Sequence, residues 1–268
     1  MKKVHLGKYG NTVIAVFTLG EVSKGFIDFV MDTLSNFYTA IRNPPGFVEV
    51  YIYSSRVEKL THLESEARDL GIVTIGDFIT LHEAWRGYPR IHISLEELIN
   101  IPKSIAIALL IHEAAHSVLH GSLQYYMISI IDDELLIKLD REELFKAMYI
   151  VSTAIKDLEV SHYLITTGFL KELIIYSKYT VKQLENVECR RDFMTIAHMS
   201  KLLAPLIPLN EVLRNEVLRS YIASKQVCEE IIKEIIKILK NTMNIPRDLS
   251  MRVSFVLRKL LDISKFNH

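Results

Sequence analysis

Residues 112–116 read His-Glu-Ala-Ala-His, and that spacing carries chemistry. On an α-helix, residues i and i+4 stand one turn apart on the same face. Two imidazoles so placed can converge on one metal ion. Glu113 then lies about 100° around the helix, still on the metal's side. A glutamate there can reach a water on the metal and take its proton. The flanks Ile107–Ile111 and Val118–Leu119 are apolar. A polar trio inside such a helix must be paired or metal-bound, because burial without partners is costly. The competing reading is a hydrogen-bonded polar cluster within a helical core.

His120 follows four residues after His116. Its backbone would stand about 12 Å from that of His112 along a straight helix. One ion cannot easily take all three rings, so His120 reads as a supporting or structural residue. A catalytic zinc also needs a third protein ligand and one open position. The best source is 156–163, Lys-Asp-Leu-Glu-Val-Ser-His-Tyr, within an otherwise apolar helix. At about 100° per residue, Asp157 and Ser161 share one flank of the apolar face, and Glu159 and His162 the other. Either flank could meet the motif helix.

With these residues the chain resembles the zincin metallopeptidases, and among them the gluzincin-like group. His112, Glu113, His116 and the downstream helix over Asp157–Tyr163 carry the resemblance. It implies a glutamate on that later helix as third ligand, with Asp or Asn four residues on. Asp157 and Ser161 fall on those two positions, each a departure from the pattern, so Glu159 and then His162 stay as alternatives. Leu119 and Ser122 stand where the metzincin pattern requires glycine and a third histidine. The resemblance further implies a zincin-like α+β fold and one Zn2+ per chain. It implies a residue in the C-terminal half that steadies the oxyanion, for which His162, Tyr163 and His198 are candidates. It also implies an edge strand that lines the substrate cleft. Arg90-Ile91-His92-Ile93-Ser94 is placed to be that strand, and Pro89 at its start suits an edge.

The elements that must position these groups are legible from periodicity. Thr12–Leu19 and Phe47–Tyr53 read as strands, as does Arg90–Ser94. Residues 72–75 and 78–81 are short strand candidates. Ser23–Arg42 has one apolar helical face, and Arg56–Leu70 is a charged helix with Gly71 placed to cap it. Pro102 opens the motif helix and Gly121 closes it. Beyond lie periodic helical segments at Arg141–Thr166, Val181–Leu203, Asn210–Lys240 and Leu249–Lys265. The expected organisation is an N-terminal α/β part, 1–121, containing a small mixed sheet and the motif helix. An all-helical part, 122–268, would supply the third ligand, with the ligand site expected in a cleft between the two.

Composition bounds the rest. The 268 residues hold 32 Lys+Arg and 32 Asp+Glu, a formal net charge of zero, which argues against a nucleic-acid or anionic-membrane surface. No apolar run reaches the ~18–20 residues of a membrane helix. Two cysteines, Cys189 and Cys228, exclude a disulfide scaffold. With no visible signal peptide, a reducing cytoplasm is the simpler expectation. Trp85 and His82-Glu83 read as packing and strand-end residues, and Tyr125-Tyr126 as packing residues that could shape the cleft. The isoleucine-rich face of 231–239 reads as core or as an interface with another copy. The expected function is a zinc peptidase acting on peptides or unfolded protein. The alternatives are an inactive zincin-shaped binding or regulatory protein and a metal-dependent amide hydrolase on a small molecule.

Overall fold

A computed structural model describes residues 2–72, 78–129, 133–185, 187–188, 190–213, 228–245 and 248–265. The fold is mixed α and β, and the chain divides into two compact units, Met1–Met127 and Ile128–His268.

The first unit is built on a five-stranded sheet. Its strands are β1 (Lys2–Tyr9), β2 (Thr12–Leu19), β3 (Phe47–Tyr53), β4 (Thr80–Glu83) and β5 (Arg90–Ser94), in the spatial order β1-β2-β3-β5-β4. The inner strands β2, β3 and β5 are parallel, and β1 and β4 are antiparallel to their neighbours. Connecting helices are α1 (Lys24–Ala40), α2 (Arg56–Leu70), the short α3 (Leu95–Leu98) and the motif helix α4 (Lys103–Leu119). Ser23 caps α1 by accepting from the Phe26 N–H, and Ser55 with Glu58 forms a capping box on α2. Gly71 closes α2 with φ of 67°, which glycine adopts without strain.

Side-chain alternation gives the sheet two different faces. Ile14, Val16, Val48, Val50, Ile52, Ile91 and Ile93 share one face and are fully buried. That face belongs to α4, against which α1 packs; Tyr38 of α1 and Ser117 of α4 are hydrogen-bonded at 2.7 Å. The opposite face carries Tyr51, Tyr53, Arg90 and His92 and meets α2. There Leu63, Ala67 and Trp85 form a small apolar cluster with Leu81 and Tyr126, which gives Trp85 the packing role its sequence suggests.

One strand expectation is corrected. Arg90–Ser94 is not an edge strand: β3 pairs on one side of it and β4 on the other. All five of its residues are buried, with Arg90 and His92 held by carboxylates. Pro89 lies just outside the strand, and its carbonyl accepts from Glu49 N–H. Among the described residues, the strand at that side of the sheet is β4. The short strand expected over 72–75 falls largely on residues 73–77, outside the described set. β1 was not foreseen, because Val4 and Leu6 are exposed and interleaved with lysine and histidine.

The second unit is helical. Its described helices are α5 (Asp133–Lys138), α6 (Arg141–Thr166), α7 (Leu170–Glu185), α8 (Phe193–Leu203), α9 (Leu206–Val212), α10 (Glu229–Thr242) and α11 (Leu249–Lys265). α6 is the longest, capped by Asp140, and packs against α7, α8, α9 and α11. The segment expected as one helix over Val181–Leu203 is split between α7 and α8, with Asp192 capping the second. Of the segment expected over Asn210–Lys240, residues 214–227 lie outside the described set. Ile231, Ile232, Ile235, Ile238 and Leu239 of α10 are buried, as its amphipathic pattern requires.

Candidate metal centre

α4 brings the motif together as the i, i+4 rule demands. His112 and His116 are buried, and their Nε2 atoms face each other at 3.1 Å. Two nitrogens each about 2.05 Å from one tetrahedral zinc would lie roughly 3.3 Å apart, so the pair is already near ligand spacing. His116 turns its other ring nitrogen, Nδ1, to within 3.0 Å of His120 Nδ1. One of these two nitrogens must carry the proton, and the contact fixes the rotation of the His116 ring. His120 is 1% exposed at the helix C-terminus. Gly121 follows because a Cβ there would meet the Ser117 carbonyl at 2.4 Å and Pro89 at 2.6 Å.

Glu113 is buried beside the two histidines, and Thr80 of β4 donates to its Oε1 at 2.9 Å. His82, two residues on along the same strand, stacks its ring parallel to that of His116 at 5.9 Å. The Tyr126 hydroxyl lies 3.0 Å from His82 Nδ1. β4 thus contributes two side chains to this centre, Thr80 and His82, neither of which the sequence reading placed there. Their signal was the strand period itself: Thr80 and His82 share one face, and Leu81 and Glu83 the other.

The chain matches no protein-family model, no curated protein and no solved structure.

His112 and His116 offer two buried imidazoles in the first unit, and Asp157, the expected third ligand, is a buried carboxylate on α6 of the second. Two imidazoles and one carboxylate are a donor set that suits zinc. The other expected site residues are placed differently. Glu159 accepts from Arg252 Nη1 at 2.7 Å, an ion pair between α6 and α11. His162 and His198 are exposed. Ser161 is fully buried, but its hydroxyl donates to the Asp157 carbonyl of its own helix at 2.8 Å. Tyr163 is half-buried, and burial pushes its hydroxyl above the usual tyrosine range. His92 faces away from α4, into the polar layer under α2. Cys228 is buried and disulfide-bonded. Cys189, the chain's other cysteine, lies outside the described residues. No described helix is long and apolar enough to cross a membrane.

Proposed function

We propose that the chain is a zinc-dependent hydrolase of peptide bonds, with zinc held by His112, His116 and Asp157. The observation that carries this reading is the 3.1 Å Nε2–Nε2 approach of His112 and His116 on α4. Beside it stands a buried glutamate oriented by a neighbouring strand. A bound zinc would supply a Lewis acid that makes water acidic near neutral pH and polarises a carbonyl.

The rest of the chemistry belongs to the protein. Thr80 occupies Oε1 of Glu113, which leaves Oε2 to take a proton from the attacking water. Glu113 then returns that proton to the departing amine. The outer side of β4 offers an extended substrate backbone a strand to pair with, and β4 is firmly set for that task. The Phe78 carbonyl just before it accepts from the buried Lys59, and Glu83 at its end is held by Arg90. The His82–Tyr126 pair next to His116 is a donor that could steady a developing oxyanion.

The test is metal analysis combined with cleavage of a broad peptide library. Wild type should hold about one zinc per chain and cleave. His116→Ala should lose both zinc and cleavage, whereas Glu113→Gln should keep zinc and lose cleavage. Equal cleavage by wild type and Glu113→Gln, or no zinc after metal loading, overturns the assignment.

A further inference from the structure

The sheet face turned away from α4 carries a second chain of titratable groups, independent of the metal reading. His92 Nε2 lies 3.0 Å from Glu83 Oε1, and His92 Nδ1 lies 2.8 Å from the Tyr53 hydroxyl. The same hydroxyl lies 2.8 Å from His62 Nδ1 on α2. His92 and Tyr53 are fully buried, Glu83 is nearly so, and His62 is partly exposed. The chain therefore runs from a buried carboxylate to an imidazole at the surface.

Proton counting fixes every tautomer along it. Burial pushes the Glu83 carboxyl up, but its bonds to His92, Arg90 and the Trp85 N–H outweigh that and hold it below the usual range. It is ionised and only accepts, so His92 carries a proton on Nε2. Burial also holds His92 below the usual histidine range, so its Nδ1 is a bare acceptor. Tyr53 has one proton, and it must go to His92 Nδ1. The Tyr53 oxygen then accepts, so His62 Nδ1 must donate. His62 is left with its lone pair on Nε2, the nitrogen outside the relay. Free histidine favours the opposite tautomer. The Tyr51 ring stacks on His62 at 5.8 Å, and the charged neighbours are Glu66, Arg86 and Arg90, already paired with one another.

We propose that His62 is a second reactive centre, a base and nucleophile whose Nε2 lone pair is presented by the Glu83–His92–Tyr53 relay. Its ligands would be small molecules with an acidic N–H or O–H, or neutral acyl electrophiles. In acyl capture, Nε2 bonds to the carbonyl carbon as the bond to the leaving group breaks. The Nδ1 proton of His62 passes to the Tyr53 oxygen, and Tyr53 gives its own proton to His92 Nδ1. The positive charge then rests on His92, beside the Glu83 carboxylate, rather than on the modified ring.

The test uses the full chain and two readouts. Imidazole 15N shifts, assigned with a His62→Gln variant, should show the proton of neutral His62 on Nδ1 and that of His92 on Nε2. Diethylpyrocarbonate is the acyl probe, and ethyl carbonate is its leaving group. It should modify His62 about threefold or more faster in wild type than in Tyr53→Phe, which frees the tautomer. Neutral His62 with its proton on Nε2 in wild type overturns the proposal, as does an unchanged rate in folded Tyr53→Phe. If that variant does not fold, the wild-type 15N measurement decides alone.

Discussion

At the scale of single residues, the candidate centre depends on how Glu113 is held. Its partner Thr80 donates a hydrogen bond to a buried carboxylate, a bond worth about 1.5–3 kcal/mol. Thr80→Val keeps the side-chain shape and removes the donor. It should lower kcat about 10–100-fold while zinc content stays at the wild-type level. Thr80→Ser should recover most of the loss, which a packing role would not explain. Steady-state kinetics on a peptide identified from the library checks both variants. The His112–Glu113–His116 trio was legible because helical spacing alone places it. Thr80 was not, because its bond to Glu113 spans 33 residues and needs the strand pairing of β4. His120 was legible as a neighbour of the pair, but the Nδ1–Nδ1 contact that orients His116 was not.

At the scale of elements, the polar layer between α2 and the sheet decides stability. Arg90 is 2% exposed and is held by two carboxylates, Glu66 and Glu83. Removing one partner of a buried ion pair strands the others. Arg90→Met should therefore cost about 3–5 kcal/mol in urea unfolding. Glu66 gives the layer a pH dependence. Burial pushes its carboxyl up, but the hydrogen bonds and charges of Arg90 and Arg86 win and hold it at about 2. A depressed folded pKa stabilises above the unfolded value, near the ordinary 4.5, and that gain is lost as pH falls toward 2. The urea midpoint should accordingly fall between pH 5 and pH 3, and Glu66→Gln should flatten the fall. This layer is where reading the sequence failed most clearly. Arg90, His92 and Ser94 alternate with Ile91 and Ile93, as they would in a strand with one wet face. Here Arg90 and His92 are buried against Glu66 of α2, Glu83 of β4 and Tyr53 of β3, while Ser94 caps α3, and only tertiary structure supplies the partners of the first two.

At the scale of the whole molecule, the change in hydrophobic period after α4 puts the expected boundary at 121, whereas the two compact units divide after Met127. α6 and α11 have the bounds their periodicity predicts, Arg141–Thr166 and Leu249–Lys265. The junction between α7 and α8 was not read, because the apolar spacing hides the capping role of Asp192. The disulfide at Cys228 was also unforeseen, since two lone cysteines carry no spacing signal. Reduction should lower stability by about 2–4 kcal/mol, read as a drop in Tm of several degrees by calorimetry with and without a phosphine reductant.

The alternation along β4 has an evolutionary consequence. Thr80 and His82 serve one centre, while Leu81 and Glu83 serve the apolar cluster and the relay behind the sheet. Inserting or deleting one amino acid in that stretch would swap the two sets, disarming both sides at once. Lineages carrying this chain should therefore tolerate length changes there only in even steps, a parity constraint on four codons that neither centre alone would impose.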